Sequence, residues 1–268
     1  MKRVIIVGSP RSNGRSAHVA EMLFEANIDE RPGDELFLVP VSEIEVGPCI
    51  GCNACRKTMS VIFKNEEGEE VAEQRHRCIF DDDMQTLYDL IDDADEITVV
   101  SPIYFSGAPA QMKCVLDRLQ PYFWRRLEQR QAGSLPEKRP LTLHVLGEGG
   151  DPHGYDALVS EVKSAFATAD FRLERIYDWV GKVSENGEIT AEAHVIDLLS
   201  DNVSAQVDAQ SSTARKGSQP GSAKTSSSSP ANHGNASGKK QRPKLDLSQG
   251  KQTGKPSGKK KEQRRGGR

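Results

Sequence analysis

Short aliphatic runs alternate five times with amphipathic segments along the first 200 residues of the chain. The runs are rich in Val, Ile and Leu, which is typical of buried parallel strands; they are RVIIVG (3–8), ELFLVPV (35–41), EITVVSPIYF (96–105), PLTLHVLG (140–147) and FRLERIYDWV (171–180). The segments between and after them have helical spacing of apolar residues and span 16–27, 81–94, 108–119, 154–169 and 190–202. Such alternation predicts an open parallel sheet covered by helices on both faces.

Five parallel strands joined by right-handed crossovers fit the flavodoxin-like order 2-1-3-4-5, which is a three-layer α/β sandwich. Ligands of such sheets bind beyond the carboxyl ends of the strands, where the strand order switches between strands 1 and 3. We therefore expect the site to be built from three loops, at residues 8–16, 101–108 and 147–154.

The composition changes near Ser204. Residues 204–268 are mainly Ser, Gly, Pro, Gln and Lys, and they cannot bury enough apolar surface to offset the entropy of the chain. We predict a disordered basic tail there, after a single domain at residues 1–203 that is long enough for a sizeable core.

The net charge of −3 conceals an uneven distribution. Residues 211–268 contain 15 Lys and Arg against 2 Asp and Glu, so the remainder contains 21 against 37. A basic tail on an acidic body could contact nucleic acid or another anionic surface. It could equally keep the chain in solution, folding back loosely on the body.

The amino terminus, MKRVIIVGSP, has too short an apolar stretch for a signal peptide, and no apolar run approaches the ~20 residues of a membrane span. A cytoplasmic location is therefore expected, where thiols stay reduced. Clustered cysteines in that setting favour metal or redox chemistry over structural disulfides.

Three of the five cysteines, Cys49, Cys52 and Cys55, lie within seven residues of a predicted loop. Thiolates at this spacing can point at one centre, as in ferredoxin-type runs. The residues alone also allow a redox dithiol or a turn that is merely rich in cysteine.

The loop GSPRSNGRS, residues 8–16, follows the first strand and opens a helix. Its glycine spacing matches neither GxxxxGK[ST] nor GxGxxG. Hydroxyl groups and free backbone N–H groups at a helix start suit a phosphate, and Arg11 or Arg15 can add a charge-assisted bond. The alternative is an ordinary helix start capped by Ser12 or Asn13.

GSPRSNGRS, the cysteine run, CIFDDDM and SPIYFSGAPAQMKCVLDR occur here in one order. From residue 3 to about 180, the chain resembles the NADPH-dependent FMN reductase and iron-sulfur flavoprotein group of flavodoxin-like proteins. The resemblance implies that the first loop holds the FMN phosphate through Ser9, Arg11, Ser12, Asn13, Gly14, Arg15 and Ser16. The group often has Asn and Thr where this chain has Arg15 and Ser16, and the arginine is a bulkier donor.

The same resemblance implies that the second loop lies beside the isoalloxazine ring, with Pro102, Ile103, Tyr104, Phe105 and Ser106. A flat apolar ring needs an apolar wall and backbone donors, although two aromatics at a strand end could instead be core. In the third loop, Gly147 and Gly149 permit close backbone approach to the flavin.

For the cysteines, the resemblance implies a [4Fe–4S] cluster with Cys78 as the fourth ligand. Between Cys55 and Cys78 lie 22 residues where the group has a handful. We interpret about 59–77 as an inserted β-hairpin with NEEGEE at its tip, which would return the chain to its start at a small entropic cost. The alternatives are four free thiols or a tetrahedral zinc site.

The expected function is an oxidoreductase that uses FMN and NAD(P)H and delivers electrons to a small acceptor or to the cluster. No catalytic side chain is predicted; His18, His144 and His153 are candidates by residue type alone. The alternatives are an electron carrier between protein partners and a module docked by its basic tail.

The remaining expectations concern the helix after the second loop. Lys113, Asp117 and Arg118 are expected in a surface or interface salt bridge, and Cys114 as a small buried residue. The aromatic run Tyr122, Phe123 and Trp124 belongs to a dimer interface if exposed and to the core if buried. The resemblance favours a homodimer.

Overall fold

The computed structural model describes residues 1–64 and 68–199. The predicted disordered tail therefore lies outside the described residues. In chain order the elements are β1 (Lys2–Val7), α1 (Arg15–Glu30), β2 (Glu35–Pro40), a short 3-10 helix (Ala54–Arg56), β3 (Thr58–Lys64), β4 (Glu70–His76), α2 (Met84–Asp93), β5 (Glu96–Pro102), α3 (Ala110–Asp117), α4 (Gln120–Ala132), β6 (Arg139–Leu146), α5 (Asp156–Thr168), β7 (Phe171–Asp178) and β8 (His194–Asp197). None of the helices in these ranges is long and apolar enough to cross a bilayer.

The main sheet has the order β2-β1-β5-β6-β7-β8. Its first five strands are parallel, and once the hairpin strands β3 and β4 are set aside they follow the predicted order 2-1-3-4-5. Val7 at the end of β1 is paired with Val100 of β5, and Pro102 at the end of β5 with Leu146 of β6. The loops that follow these three strands therefore leave the sheet at the same edge.

Alternate side chains of the sheet supply two apolar layers. In β1, Val4 and Ile6 join the core beneath α2, α3, α4 and α5, whereas Ile5 and Val7 face α1 on the other side. This explains why the strands are apolar throughout, since both faces are covered. Residues 179–193 pack beside α1, where Trp179 and Val183 complete the second layer.

The prediction of a closing helix at residues 190–202 is wrong for residues 190–199, the part of this range that the structure describes. Residues His194–Asp197 form β8, which pairs antiparallel with β7 and covers the edge of the sheet. Ile196 and Leu198 pack against the core, while Val195 and Leu199 are exposed. This alternation has a period of two, which a short apolar run does not distinguish from a helical pattern.

The predicted insertion is a hairpin, as expected. β3 and β4 pair antiparallel from Thr58 opposite His76 at the base to Lys64 opposite Glu70. The two strands form a separate sheet, and Ile62 is among its exposed residues. The hairpin therefore returns the chain to the cysteine run, so that Cys78 follows its base closely.

Helix α4 holds the aromatic run. Tyr122 is buried in the core, while Phe123 is exposed and Trp124 is half-buried beneath the guanidinium of Arg56. The run thus divides between core and surface, because consecutive helical residues point to different faces.

Candidate functional site

The first loop leaves the start of α1 uncapped. Ser9 is buried, and its Oγ accepts a hydrogen bond from the Arg11 N–H at 3.1 Å. Gly14 is the N-cap residue, and no side chain hydrogen-bonds the first turn, so capping by Ser12 or Asn13 is a wrong alternative. The orphan N–H groups of this turn and the helix dipole suit an anion such as a phosphate.

Arg15 links the start of α1 to the third loop and to residue 183. Its Nε donates to the carbonyl of Val183 at 2.9 Å, and its Nη2 lies 3.1 Å from Oε1 of Glu148 in the third loop. Arg11, Ser12 and Asn13 are exposed, whereas Ser16 is buried. In this structure, then, the charge best placed to meet a ligand belongs to Arg11.

The second loop is a tight turn with unusual backbone. Tyr104 and Gly107 exchange two main-chain hydrogen bonds, and the residues between them have positive φ, +50° at Phe105 and +65° at Ser106. Two left-handed central residues are typical of a type I′ turn, in which Gly or Asn is the usual occupant. Phe105 is nonetheless 100% exposed, so core packing is a wrong alternative for it.

Neighbouring elements fix this turn in place. The Ser106 carbonyl accepts from the N–H of Leu158 at 2.9 Å, and Ser106 Oγ donates to the carbonyl of His153 at 3.3 Å. Left-handed non-glycine residues cost about 1–3 kcal/mol each and persist where their surroundings determine them. A strained, fully exposed aromatic at the edge where sheets of this kind bind ligands calls for a functional explanation.

The third loop touches the second. A Cβ on Gly147 would lie 3.3 Å from Cδ1 of Ile103, and the Ile103 N–H donates to the carbonyl of Leu146 at 2.9 Å. Gly149 and Gly150 have φ of +89° and +87°, a conformation that favours glycine. Backbone rather than side chains therefore faces the edge here, as a closely approached ring requires.

The structure brings the four predicted cysteine ligands together. Cys49, Cys52, Cys55 and Cys78 all line one cavity of about 300 Å³. Burial is the main cause that raises the pKa of the Cys55 thiol, and the other three thiols raise it further. Cys114 lies elsewhere, on α3, and is half-buried rather than buried as expected.

A zinc ion and a cubane cluster require different spacings between the four cysteine sulfurs. Within residues 1–64 and 68–199, no three His, Cys, Asp or Glu side chains form a group suited to a single metal ion. Tetrahedral zinc would need sulfurs about 3.8 Å apart, since Zn–S bonds are about 2.3 Å. A cubane binds each thiolate to a different iron, so its four ligand sulfurs need not lie as close together as those of a zinc site.

Buried polar contacts hold the cysteine segment. The carbonyl of Cys55 lies 2.9 Å from Nδ1 of His76, and Nε2 of Gln85 donates to the carbonyls of Cys78 and Phe80 at 2.7 Å. Sequence reasoning missed both residues, because neither is close in sequence to the first three cysteines.

The predicted surface or interface position of Arg118 is wrong. Lys113 and Asp117 do form a surface pair at 2.5 Å, but Arg118 is only 1% exposed and binds Asp82 with two hydrogen bonds of 2.7 and 2.9 Å. Its apolar neighbours Leu116 and Leu119 were the available signal, since they place position 118 beside a buried face.

A parallel sheet with this strand order, with helices on both faces and three loops at one edge, defines a flavodoxin-like α/β protein. The sequence comparison goes one step further. Residues 1–172 match the NADPH-dependent FMN reductase family, and the chain belongs to that family.

Several curated relatives are archaeal. The chain is 33% identical over 121 residues to an iron-sulfur flavoprotein of Methanocaldococcus jannaschii, covering 45% of this chain and 53% of the relative. It is 31% identical over 136 residues to one from Archaeoglobus fulgidus, covering 50% and 53%. The chain thus spans about half the length of these relatives.

Solved structures give more distant likenesses. An azoreductase from Bacillus anthracis is 13% identical with a TM-score of 0.44, covering 66% of this chain and 86% of that one. An NADH:FMN oxidoreductase in its apo form is 17% identical with a TM-score of 0.41, covering 66% and 74%. Nothing about function follows at this level of similarity.

Proposed function

We propose that this chain is an FMN-binding, NAD(P)H-dependent oxidoreductase that moves electrons to a [4Fe–4S] cluster held by its four clustered cysteines, or to a small acceptor. One observation carries the proposal: the uncapped start of α1, the exposed Phe105 turn and the glycine loop after β6 meet at one edge of the sheet. Membership of the family supports the flavin, and the names of the archaeal relatives support the cluster.

Bound FMN would supply hydride acceptance and one-electron release, which no side chain can provide. The residues of this chain bind and orient it. First-turn N–H groups of α1 and Arg11 would hold the phosphate, Phe105 and Tyr104 would flank the ring, and the backbone of Gly147–Gly150 would donate to its edge. No acid or base is assigned, because none is needed for hydride transfer to a flavin.

One observation favours a second function, an electron carrier between proteins. Cys49 and Cys52 are exposed, and so are the neighbouring Ile50 and Ile79, so the cysteine cavity has an apolar rim at the surface. Such a rim suits a transient protein contact. Prompt reduction of the purified chain by NAD(P)H would argue for the first function over this one. The homodimer and the nucleic-acid contact of the tail remain predictions.

The experiment that tests the proposal is anaerobic purification, followed by a visible spectrum and assays for iron, zinc and acid-labile sulfide. We expect one FMN with stoichiometric iron and sulfide. Flavin without metal would remove the cluster part, and zinc without sulfide would replace it with a zinc site. Absence of flavin after FMN has been added would overturn the proposal.

Phe105→Gly tests the ring site separately. Glycine relieves the left-handed strain at φ +50°, so we expect the fold to be as stable or more stable while the FMN Kd rises about 5- to 30-fold. Phe123→Ala removes an exposed aromatic from α4 and is the matched control. An unchanged Kd in Phe105→Gly would show that the turn does not contact the flavin.

A further inference from the structure

A buried ion pair lies against the cysteine cavity. Arg118 lines this cavity together with the four cysteines, and Asp82 holds its guanidinium with two hydrogen bonds. The ring of Phe80 lies 5.0 Å from the guanidinium carbon. The positive charge is therefore fixed in place and shielded from water.

Arg118 and Asp82 also form hydrogen bonds with the backbone just before the cysteine run. Nη1 of Arg118 donates to the carbonyl of Gly47 at 3.1 Å, and the Gly47 N–H lies 3.2 Å from Oδ2 of Asp82, which accepts from it. Gly47 is two residues before Cys49. A displacement of Arg118 or Asp82 would therefore also move Cys49, the first predicted ligand.

One donor of Arg118 is unused. Its Nε is buried and has no hydrogen-bond partner in the described part of the chain. An unpaired buried donor costs about 1–3 kcal/mol, so this N–H group beside the cysteine cavity needs a partner or a functional reason. Burial lowers the pKa of Arg118, but the hydrogen bonds and charge of Asp82 and the charge of Cys78 outweigh this effect, so the pKa is raised.

We propose that Arg118 is a positioning residue for the group bound by the four cysteines: its Nε–H donates to a sulfur of that group, and its charge makes the group easier to reduce. This inference rests on the proposed function. A cluster with four thiolates is anionic and gains negative charge on reduction, so a fixed cation and a hydrogen bond to sulfur both favour the reduced form. Because Arg118 is buried, these effects are larger than they would be at a surface.

The two members of the pair give opposite predictions. The full chain is purified anaerobically, and the midpoint potential of the cluster is measured by reductive titration followed by electron paramagnetic resonance. Arg118→Gln should disfavour reduction by about tenfold, which is about 59 mV for one electron. Asp82→Asn leaves the cation uncompensated and should move the potential the other way.

Arg139→Gln is the matched control, since this part-buried arginine donates to main-chain carbonyls of Ile91, Asp92 and Ala94, none of which lines the cavity. It should leave the potential of the cluster unchanged. Equal potentials in all chains, or shifts of one sign in both Arg118→Gln and Asp82→Asn, would overturn the inference and leave a structural role alone.

Folding is monitored by circular dichroism. If Arg118→Gln does not fold, R118Q/D82N carries the test, because it leaves neither charge alone in the interior; we expect its potential to lie between those of wild type and Arg118→Gln. A wild-type chain with FMN but without iron and sulfide would overturn this inference and the cluster, while the flavin part of the proposed function would stand.

Discussion

Gly187 shows how closely residues 179–193 fit against α1. Its φ is +84°, and a Cβ built there would lie 2.3 Å from the ring of His18. Any larger residue must therefore displace the histidine as well as adopt a left-handed backbone. This position thus holds the segment that completes the second apolar layer.

We expect Gly187→Ala to lower the free energy of unfolding by about 2–4 kcal/mol, through left-handed strain and overpacking together. Urea titration measures this, with Gly33→Ala as the control, since nothing lies within 4 Å of a Cβ there. Adding His18→Ala should restore only the packing part. A loss of unfolding free energy as small as that of Gly33→Ala would contradict the close packing of Gly187 against His18.

His144 is a buried histidine that the fold keeps neutral. It stacks on Tyr177 with 4.5 Å between ring centroids, and its Nδ1 accepts from Nε1 of Trp179 at 3.0 Å. Burial lowers its pKa from 6.5 to about 3. A role as a structural acceptor, rather than a catalytic base, accounts for these contacts.

This histidine should make the fold sensitive to acid. Between pH 6.5 and about 3, the unfolded chain binds a proton at His144 that the folded chain does not, so stability falls as the pH falls. His144→Gln should flatten this slope by up to about 1.4 kcal/mol per pH unit, relative to wild type. Urea midpoints of the two chains from pH 7 to 4 test it, and equal slopes would contradict a neutral, buried His144.

Among the elements, β8 gives the clearest test of periodicity. Ile196 packs on the core and its neighbour Val195 is exposed. We expect Ile196→Asp to cost about 2–3 kcal/mol, because it places a charge against apolar side chains, and Val195→Asp to stay within about 0.5 kcal/mol. Thermal unfolding of both variants measures their losses of stability. Equal losses would be inconsistent with a strand in this register.

The sequence was sufficient for the sheet but not for every element on it. Strands such as Lys2–Val7 are apolar on both faces, and that pattern has one structural explanation in an alternating chain. β8 was missed because four residues cannot define a period, and α4 because its arginines and glutamines obscure an apolar face of which Tyr122 is the main part.

For the site, the sequence predicted which segments come together: the three loops follow strands that end at one edge, and the four cysteines line one cavity. The ligands of these segments remain predictions. The left-handed backbone of Phe105 was not predictable, since it depends on hydrogen bonds of its neighbours, between Tyr104 and Gly107 and from Leu158 to Ser106. The Arg118–Asp82 pair joins residues 36 positions apart, and only tertiary structure brings them together.

For the whole molecule, the distribution of charge predicts solution behaviour. The full chain has a pI of about 6.1, whereas removing residues 211–268 takes the net charge from −3 to −16. Proteins associate most readily near zero net charge. We expect light scattering of the full chain to peak near pH 6 at low salt, and that of residues 1–210 to peak at a clearly lower pH.

High salt is the control for this prediction, because it screens charges beyond about one Debye length and should reduce the difference between the two chains. Identical scattering profiles would mean that the basic residues do not control association.

The antiparallel pairing of β8 also concerns the time at which the sheet is completed during synthesis. β7 has an open edge until Asp197 has been made, and each residue after it takes roughly 0.05–0.2 s to add at common translation rates. Adjacent antiparallel strands pair within about 1–10 μs. Once β8 has left the ribosome, the edge can therefore be covered in less time than the addition of one further residue takes.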